Sequence, residues 1–257
     1  MADKYDSVWS SLTRQFIPHL IDRAQISSGM SVLDVACGPG CVSAAVRKLS
    51  AIPTGIDFSE KMVSTAKKMF PDISFLQGDA QALPFDDASY DRVLVNFGLL
   101  HLAQPEKACR EGFRVLKPTG KFGFTVWAAP PENLGGKIVN DAVEAHADLN
   151  VQLPQGPPHY LYDERECRKV LEQTGFDSSS MIYETRSVEW HIPTARYLFE
   201  SERDAGVRTA GLLARQSPER LSAISMSIER EVSRYARENE FVIPMAAHLV
   251  VVAKPQK

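Results

Sequence analysis

The stretch SVLDVACGPG, residues 31–40, decides the fold prediction. Its first residues are mostly apolar and β-branched, and the run breaks at Gly38-Pro39-Gly40, which is typical of a buried strand that ends in a tight turn. Apolar side chains then return at helical spacing, so an amphipathic helix is predicted over residues 41–50. Glycine lets the backbone approach a ligand closely, and the first N–H groups of a helix lack intrahelical partners. Strand, glycine turn and helix together predict a nucleotide-like ligand at this junction.

Length and composition favour one globular domain over residues 1–257. The chain is 44% hydrophobic and 24% charged, values near the globular average that do not favour a disordered or fibrous class. A net charge of −3 offers no electrostatic basis for DNA or RNA binding, so no nucleic-acid partner is predicted. The longest apolar run, near residues 248–253, is too short to cross a bilayer, and the N-terminus lacks the features of a signal peptide. We therefore expect a cytoplasmic protein without a membrane partner.

The four cysteines do not indicate a metal site. Cys37, Cys41, Cys109 and Cys167 contain no CxxC pair and have no matching histidine cluster. Reduced thiols and no bound metal are therefore predicted. Cys37 and Cys41 flank the glycine turn, where the favoured interpretation is small side chains that fill a crowded turn.

Three aspartates stand at or just after the ends of predicted strands. Asp34 lies in the first strand, Asp57 follows a strand predicted at residues 52–56, and Asp79 follows one predicted at residues 73–76. Since ligands bind outside the carboxyl ends of the strands in an open α/β sheet, these carboxylates are expected on one side of one crevice. A carboxylate about twenty residues beyond the glycine turn suits the hydroxyls of a ribose, which is our interpretation of Asp57, with an ordinary turn residue as the alternative.

Strands that alternate with helices predict an α/β fold with parallel βαβ units, a Rossmann-like doubly wound three-layer sandwich. Around a core of residues 28–128 we predict an N-terminal helical cover, residues 1–27, interrupted at Pro18. Helical substrate-lid insertions are predicted over residues 129–160 and 194–240. A turn is predicted at residues 117–120. The later strands are predicted at residues 91–97, 121–127, 181–190 and 242–253.

Five ordered motifs carry a resemblance to a known family. The chain resembles the class I S-adenosylmethionine-dependent methyltransferases, particularly the small-molecule type related to quinone biosynthesis. The resemblance covers roughly residues 28–128, and beyond it is general to the fold. The motifs are VLDVACGPG (32–40), GIDFSEKM (55–62), GDAQALPF (78–85), YDRVLVNFGLLHL (90–102) and VLKPTGKF (115–122).

The resemblance implies a seven-stranded, mostly parallel sheet with its last strand antiparallel, and it implies cofactor contacts. Gly38 and Gly40 would admit the methionine portion of S-adenosylmethionine, and Asp34 would be linked to its ammonium group directly or through water. Asp57 would hold the ribose hydroxyls and Asp79 the adenine amino group. S-adenosylhomocysteine would be the product. The complete set of cofactor candidates is Tyr5, Asp34, Ala36, Gly38, Gly40, Asp57, Phe58, Met62, Asp79, Ala80, Asn96 and Phe97.

Other functions remain open at the level of sequence. The dinucleotide fingerprint would need Gly or Ala at position 43, where this chain has Ser43, so NAD is disfavoured. Residues 96–99 do not match the Asp/Asn-Pro-Pro-Tyr/Phe motif of amino-methylating DNA enzymes. Two alternatives belong to other classes. One is a methyltransferase-fold protein that catalyses a cyclisation or pericyclic step, and the other is a protein of this fold that serves as a regulatory binding module.

The expected reaction is methyl transfer to a small aromatic or hydrophobic molecule, with oxygen, carbon or nitrogen as the acceptor atom. In-line displacement depends mainly on proximity and orientation. His101, just after the fourth predicted strand, is the candidate base, with a packing role as its alternative. A monomer or homodimer is expected. The substrate-lining candidates are Trp127, His159, Tyr160 and His191.

Overall fold

A computed structural model describes residues 2–151, 160–206 and 209–256 of the chain, without the side chains of residues 2–7 and 160. Tyr5, His159 and Tyr160 are sequence candidates whose side chains lie outside this description. In the described part, no helix is long and apolar enough to cross a membrane.

One mixed sheet runs through the described chain in the order β3-β2-β1-β4-β5-β8-β6, with the two-residue β7 paired to β8. The first five strands in this order are parallel, whereas β8 is antiparallel to both of its neighbours. The predicted mostly parallel sheet with an antiparallel last strand is therefore confirmed. The strands are β1 Ser31–Val35, β2 Ile52–Asp57, β3 Ser74–Gln77, β4 Tyr90–Asn96, β5 Leu116–Trp127, β6 Asp177–Ile192, β7 Ala236–Arg237 and β8 Glu240–Ala253.

Ten α-helices are described, and they follow the strands in the alternation predicted from sequence. They are α1 Ala2–Thr13, α2 Ile17–Ala24, α3 Cys41–Lys48, α4 Glu60–Met69, α5 Pro105–Val115, α6 Leu134–His146, α7 Glu164–Thr174, α8 Tyr197–Ala205, α9 Thr209–Leu213 and α10 Pro218–Val232.

Neighbouring residues of β1 show why helices cover both faces of the sheet. Side chains alternate along a strand, so Val32 packs with α2 and α3 on one face while Leu33 packs with α5 and α7 on the other. All three layers are closely packed, since Val32 and Leu33 are completely buried. The predicted three-layer sandwich is confirmed.

Several helix ends follow local sequence signals. Ser59 caps α4 by accepting a hydrogen bond from the Met62 amide at 3.4 Å. Asp163 caps α7, whose last turn closes at Gly175 with φ +101°. Ser217 caps α10. Short polar residues and one glycine thus fix where these helices begin and end.

Two predicted boundaries are wrong. The N-terminal helix breaks at the 3₁₀ turn Arg14–Phe16 rather than at Pro18, because proline is tolerated in the first turn of α2. Residues 117–120, predicted as a turn, belong to β5. The chain after β8 pairs with them, since the Thr119 amide donates to Lys254 O at 3.1 Å and the Lys254 amide donates to Gly120 O at 2.8 Å.

A second core lies between the N-terminal cover and the late helices. Trp9 of α1 stacks on Trp190 of β6 at a centroid distance of 5.0 Å. Side chains of α6, α8 and α10 bury against the same cluster, including Val139, Leu198 and Ile228. The segments predicted as a cover and lids therefore pack together beside the sheet.

Candidate active site

A cavity of about 590 Å³ opens at the carboxyl ends of the parallel strands. Strand register brings these ends level, because Val35 pairs with Ile56 and Asp34 with Leu94. Residues that follow β1, β2 and β4 consequently meet at one edge of the sheet, as the sequence predicted.

Asp34 is buried in the wall of this cavity, with only 1% of its surface exposed. Its Oδ2 accepts hydrogen bonds from the Ser43 amide at 2.9 Å and from the Ser43 hydroxyl at 2.6 Å. Its Oδ1 is buried and has no hydrogen-bond partner among the described residues. Burial raises the pKa of Asp34 to about 7. Because a buried acceptor without a donor is unfavourable, Oδ1 is suited to a cationic donor from a ligand.

Asp57 holds the glycine turn against the end of β2. Its Oδ2 accepts from the Gly38 amide and its Oδ1 from the Ser59 amide, both at 2.9 Å. Burial raises the pKa of Asp57, although these two hydrogen bonds oppose the shift. Each carboxylate oxygen can accept more than one hydrogen bond, so Asp57 can still receive hydroxyl donors from a ligand.

The two glycines of the turn serve different purposes. Gly38 has φ +53° and lines the cavity, and a Cβ there would meet nothing within 4 Å. Gly40 has φ +86°, and a Cβ there would lie 2.7 Å from Phe75 Cζ. Gly40 is not among the described lining residues. Glycine is needed at this position because of the positive φ angle and the close approach of Phe75, rather than for contact with a ligand.

The adenine-side candidates lie past the ends of β2 and β3. Phe58, Met62, Asp79 and Ala80 all line the cavity. The Asp79 Oδ1 accepts from the Gln81 amide at 2.8 Å, which fixes the carboxylate within its turn. Phe58 is 78% exposed, an unusual state for a phenylalanine and one that favours a planar apolar ligand beside it.

Two strand ends have strained backbone. Ala36 after β1 has φ +53° and Phe97 after β4 has φ +56°, the left-handed region that residues other than glycine seldom adopt. Both line the cavity. Asn96 is held by the Thr125 hydroxyl, which donates to its Oδ1 at 2.7 Å. Strain of this kind is common at ligand sites.

The opposite wall comes from three segments that lie far apart in the chain. His101 belongs to a 3₁₀ turn after β4 and is exposed at the cavity. An aromatic layer lies behind this wall, where the rings of Phe97 and Trp127 are 4.2 Å apart. Trp127, predicted to line the substrate pocket, is therefore not among the described lining residues but packs on one of them, Phe97. The wall residues are Ser10, Thr13, Arg14, Ile17, Gly98, His101, Leu102, Ala103, Ala205 and Gly206.

His191 lies away from this cavity, contrary to the expectation that it lines the substrate pocket. Its Nδ1 is 2.8 Å from Glu240 Oε1, and it borders a separate cavity of about 360 Å³ near the β7–β8 turn. β6 is the outermost strand, beyond β5 and β8, and it continues past the level of the end of β4. Through Thr125 and Leu249, the end of β4 at Asn96 is level with Glu184 of β6, seven residues before His191.

Sequence reasoning missed two residues at the site. Ser43, considered only as a departure from the dinucleotide fingerprint, supplies both donors to Asp34. A serine in the first turn of a helix behind a strand-end acid is a usable signal for that pair. Arg14 lines the cavity from the N-terminal cover, and no local pattern marked it.

The residues present fit an S-adenosylmethionine-type ligand. Asp34 Oδ1, which accepts no hydrogen bond from the described residues, suits an ammonium group. The Asp57 carboxylate suits ribose hydroxyls, and the ring of Phe58 offers a face for an adenine. In the described ranges, no group of three or more His, Cys, Asp or Glu residues is arranged to hold a metal ion.

Comparisons with known proteins agree with this fit. The family model described as "Methyltransferase domain" matches residues 33–124. A demethylmenaquinone methyltransferase of Paenarthrobacter aurescens (strain TC1) is 32% identical over 178 residues, which are 67% of this chain and 70% of that protein. The ubiquinone/menaquinone biosynthesis C-methyltransferase UbiE of Pseudomonas putida (strain GB-1) is 27% identical over 206 residues, 69% of this chain and 78% of that protein.

A solved structure extends the likeness to the whole fold. The YcgJ protein of Bacillus subtilis superimposes with a TM-score of 0.62 at 20% identity, covering 95% of this chain and 99% of that one. The fold, the ordered motifs and the sequence relatives lead to one conclusion, in which the cofactor and the reaction type predicted from sequence are confirmed. The chain belongs to the class I S-adenosylmethionine-dependent methyltransferases.

Proposed function

We propose that the protein methylates a ring carbon of a small hydrophobic aromatic acceptor of the quinol type. The names of the two relatives, a demethylmenaquinone methyltransferase and a quinone-biosynthesis C-methyltransferase, support this acceptor class. The observation that carries the proposal is the shape of one cavity. It continues from the acidic strand ends to a wall containing Leu102, Ala103 and Ala205, which suits an apolar ring.

The strand ends would hold the cofactor. Asp34 Oδ1 would accept from the ammonium group, and Asp57 would accept from the ribose hydroxyls. The adenine would lie among Phe58, Met62, Asp79 and Ala80, while Ala36, Gly38, Asn96 and Phe97 would border the amino-acid part. When bound, the cofactor supplies an electrophilic methyl group on a sulfonium.

His101 would act on the acceptor. Loss of the hydroxyl proton of a quinol raises the electron density of its ring carbons, so a base at the acceptor wall assists carbon methylation. His101 lines that wall, and histidine exchanges protons near neutral pH. Orientation of the ring by the residues of that wall supplies the remaining advantage.

Product analysis tests the proposal. The protein is incubated with methyl-labelled S-adenosylmethionine and a reduced naphthoquinone that lacks the ring methyl group. The expected product carries the label on a ring carbon. Label on oxygen would correct the acceptor atom, and an isomer of unchanged mass would favour a pericyclic activity.

The His101→Gln variant tests the base. We expect kcat to fall by about 10²- to 10⁴-fold with cofactor affinity unchanged. His19, which is exposed on α2 outside the cavity, provides the matched control His19→Gln. Equal kcat in the two variants would remove His101 from this role.

A monomeric or homodimeric state, a cytoplasmic location and the absence of a nucleic-acid partner stay predictions. Light scattering on the purified protein measures the first, and fractionation of cells measures the second. A gel-shift assay with DNA and RNA measures the third.

A further inference from the structure

The N-terminal cover brings one arginine to a cavity whose described lining also contains three aspartates. Among the described lining residues, Arg14 faces a set that includes Asp34, Asp57 and Asp79. Arg14 is exposed, and in the described part of the chain its guanidinium has no hydrogen-bond or ion-pair partner. Such an arginine is available to a ligand with oxygens arranged as in a carboxylate.

The neighbours of Arg14 fix its position along the cavity. The Asn96 Nδ2 donates to Thr13 O at 3.3 Å, so the residue just before Arg14 is held at the end of β4. The end of β4 is level with the end of β1, because Asp34 pairs with Leu94. The adenine-side candidates follow β2 and β3, farther along the sheet. Arg14 therefore lies toward the end of the cavity that contains Asp34.

We propose that Arg14 binds the carboxylate of the cofactor's amino-acid moiety. The amino-acid end of S-adenosylmethionine carries an ammonium and a carboxylate on one carbon, so a site for it needs an acceptor and a cationic donor close together. Asp34 Oδ1 is the acceptor without a donor, and Arg14 is the cation without a partner among the described residues. This inference rests on the cofactor placement given under Proposed function.

The assignment couples cofactor binding to the N-terminal cover. Arg14 lies in the 3₁₀ turn between α1 and α2. Next to it, Gln15 Nε2 donates to Glu189 O at 3.1 Å, and Trp9 stacks on Trp190. A carboxylate held by Arg14 joins this segment to the strand ends, so the bound ligand protects residues 8–17 from amide exchange.

Calorimetry on the full chain tests the assignment with two ligands, S-adenosylhomocysteine and its α-carboxamide. We expect Arg14→Gln to weaken binding of S-adenosylhomocysteine by about 10- to 100-fold, the range of one charge-assisted contact. Binding of the carboxamide, which lacks the anionic oxygen, changes less than about twofold between wild type and variant. Arg47, which is exposed on α3 outside the cavity, gives the control Arg47→Gln, for which both affinities are unchanged.

Two results for Arg14→Gln would overturn the assignment of Arg14 to the carboxylate. Equal weakening of both ligands in Arg14→Gln would mean a general disturbance of the site. Unchanged affinity for S-adenosylhomocysteine with a raised KM for the acceptor would assign Arg14 to the acceptor. Failure of the quinol as a substrate leaves this test intact, since calorimetry needs no acceptor. Failure of the wild type to bind S-adenosylhomocysteine would overturn the cofactor placement and this assignment together.

Discussion

The two halves of the cavity are built in different ways. The strand-end half comes from residues 34–81, where short-range hydrogen bonds connect Asp34 to Ser43 and Asp57 to Gly38. The cover half, which would receive the acceptor and, at Arg14, the carboxylate of the cofactor, comes from residues 10–17, 97–103 and 205–206, which meet only through the fold. The comparison teaches that the strand-end part of the cofactor site is encoded locally, whereas the acceptor wall and the proposed Arg14 contact depend on long-range packing. Substitutions at or behind the strand-end half test how far its contacts are local.

The largest effect is expected from removal of the Asp57 carboxylate. In Asp57→Ala the amides of Gly38 and Ser59 lose their acceptor, and a bound ribose loses its own. We expect affinity for S-adenosylhomocysteine to fall by about 100-fold in calorimetry, from about 3 kcal/mol of lost hydrogen bonding. Asp72, exposed in a turn outside the cavity, gives the control Asp72→Ala. Similar affinities in the two variants would contradict the local encoding.

Arg114 of α5 holds the loop that follows the adenine-side candidates Asp79 and Ala80. Its substitution measures how much this helix stabilises the loop. It donates to Leu83 O at 2.9 Å, Phe85 O at 2.7 Å and Glu111 Oε2 at 2.8 Å, while Glu111 accepts from the Leu83 amide at 2.7 Å. We expect Arg114→Gln to lower the free energy of unfolding by about 2 kcal/mol in urea titration, because these acceptors lose their donor. The exposed neighbour Arg110 supplies the control Arg110→Gln. No difference between the two would show that the loop is held by other contacts.

Asp34 gives the strand-end half a pH dependence. Its pKa is raised to about 7 by burial, and the ionised form is the one that attracts an ammonium. Affinity for S-adenosylhomocysteine should therefore fall as pH decreases through about 7, approaching about tenfold per pH unit. Binding at pH 6 should also release a proton, seen as a buffer-dependent enthalpy. Asp34→Asn should bind weakly with a flat profile, and a remaining slope would belong to Asp57.

Ala36→Gly is the smallest change. Alanine at φ +53° is strained, and glycine relieves the strain at some cost in chain entropy. We expect the free energy of unfolding to rise by a few tenths to about 1 kcal/mol. Ala45→Gly in α3 should instead lower it by about 1 kcal/mol, since glycine disfavours helix. The same sign in both variants would contradict the strain at Ala36.

The sequence predicted the strand-end half well because its information is local. The glycine turn, the acid after the second strand and the cap at Ser59 are short patterns with a physical cause, and register then brings them together. The cover half could not be predicted in the same way. Arg14 reaches the cavity through the docking of Thr13 on Asn96, a contact between residues 83 positions apart.

His191 also shows that local sequence does not predict which residues reach the acceptor wall. A histidine after a strand was a reasonable substrate candidate, but the position of β6 at the edge of the sheet removes it from the cavity. The late helices pack against Trp190 and its neighbours, and no local sequence pattern predicts these contacts. Trp127 was predicted to line the substrate pocket, but it is not among the described lining residues; its ring packs on that of Phe97, which does line the cavity.

The most direct test of the whole account is transfer of a labelled methyl group to a reduced naphthoquinone, followed by mass analysis and location of the label. The expected product is heavier by one methylene unit and labelled on a ring carbon, with S-adenosylhomocysteine formed in equal amount. Turnover of this acceptor without a gain in mass, or methyl transfer only to proteins or nucleic acids, would contradict it.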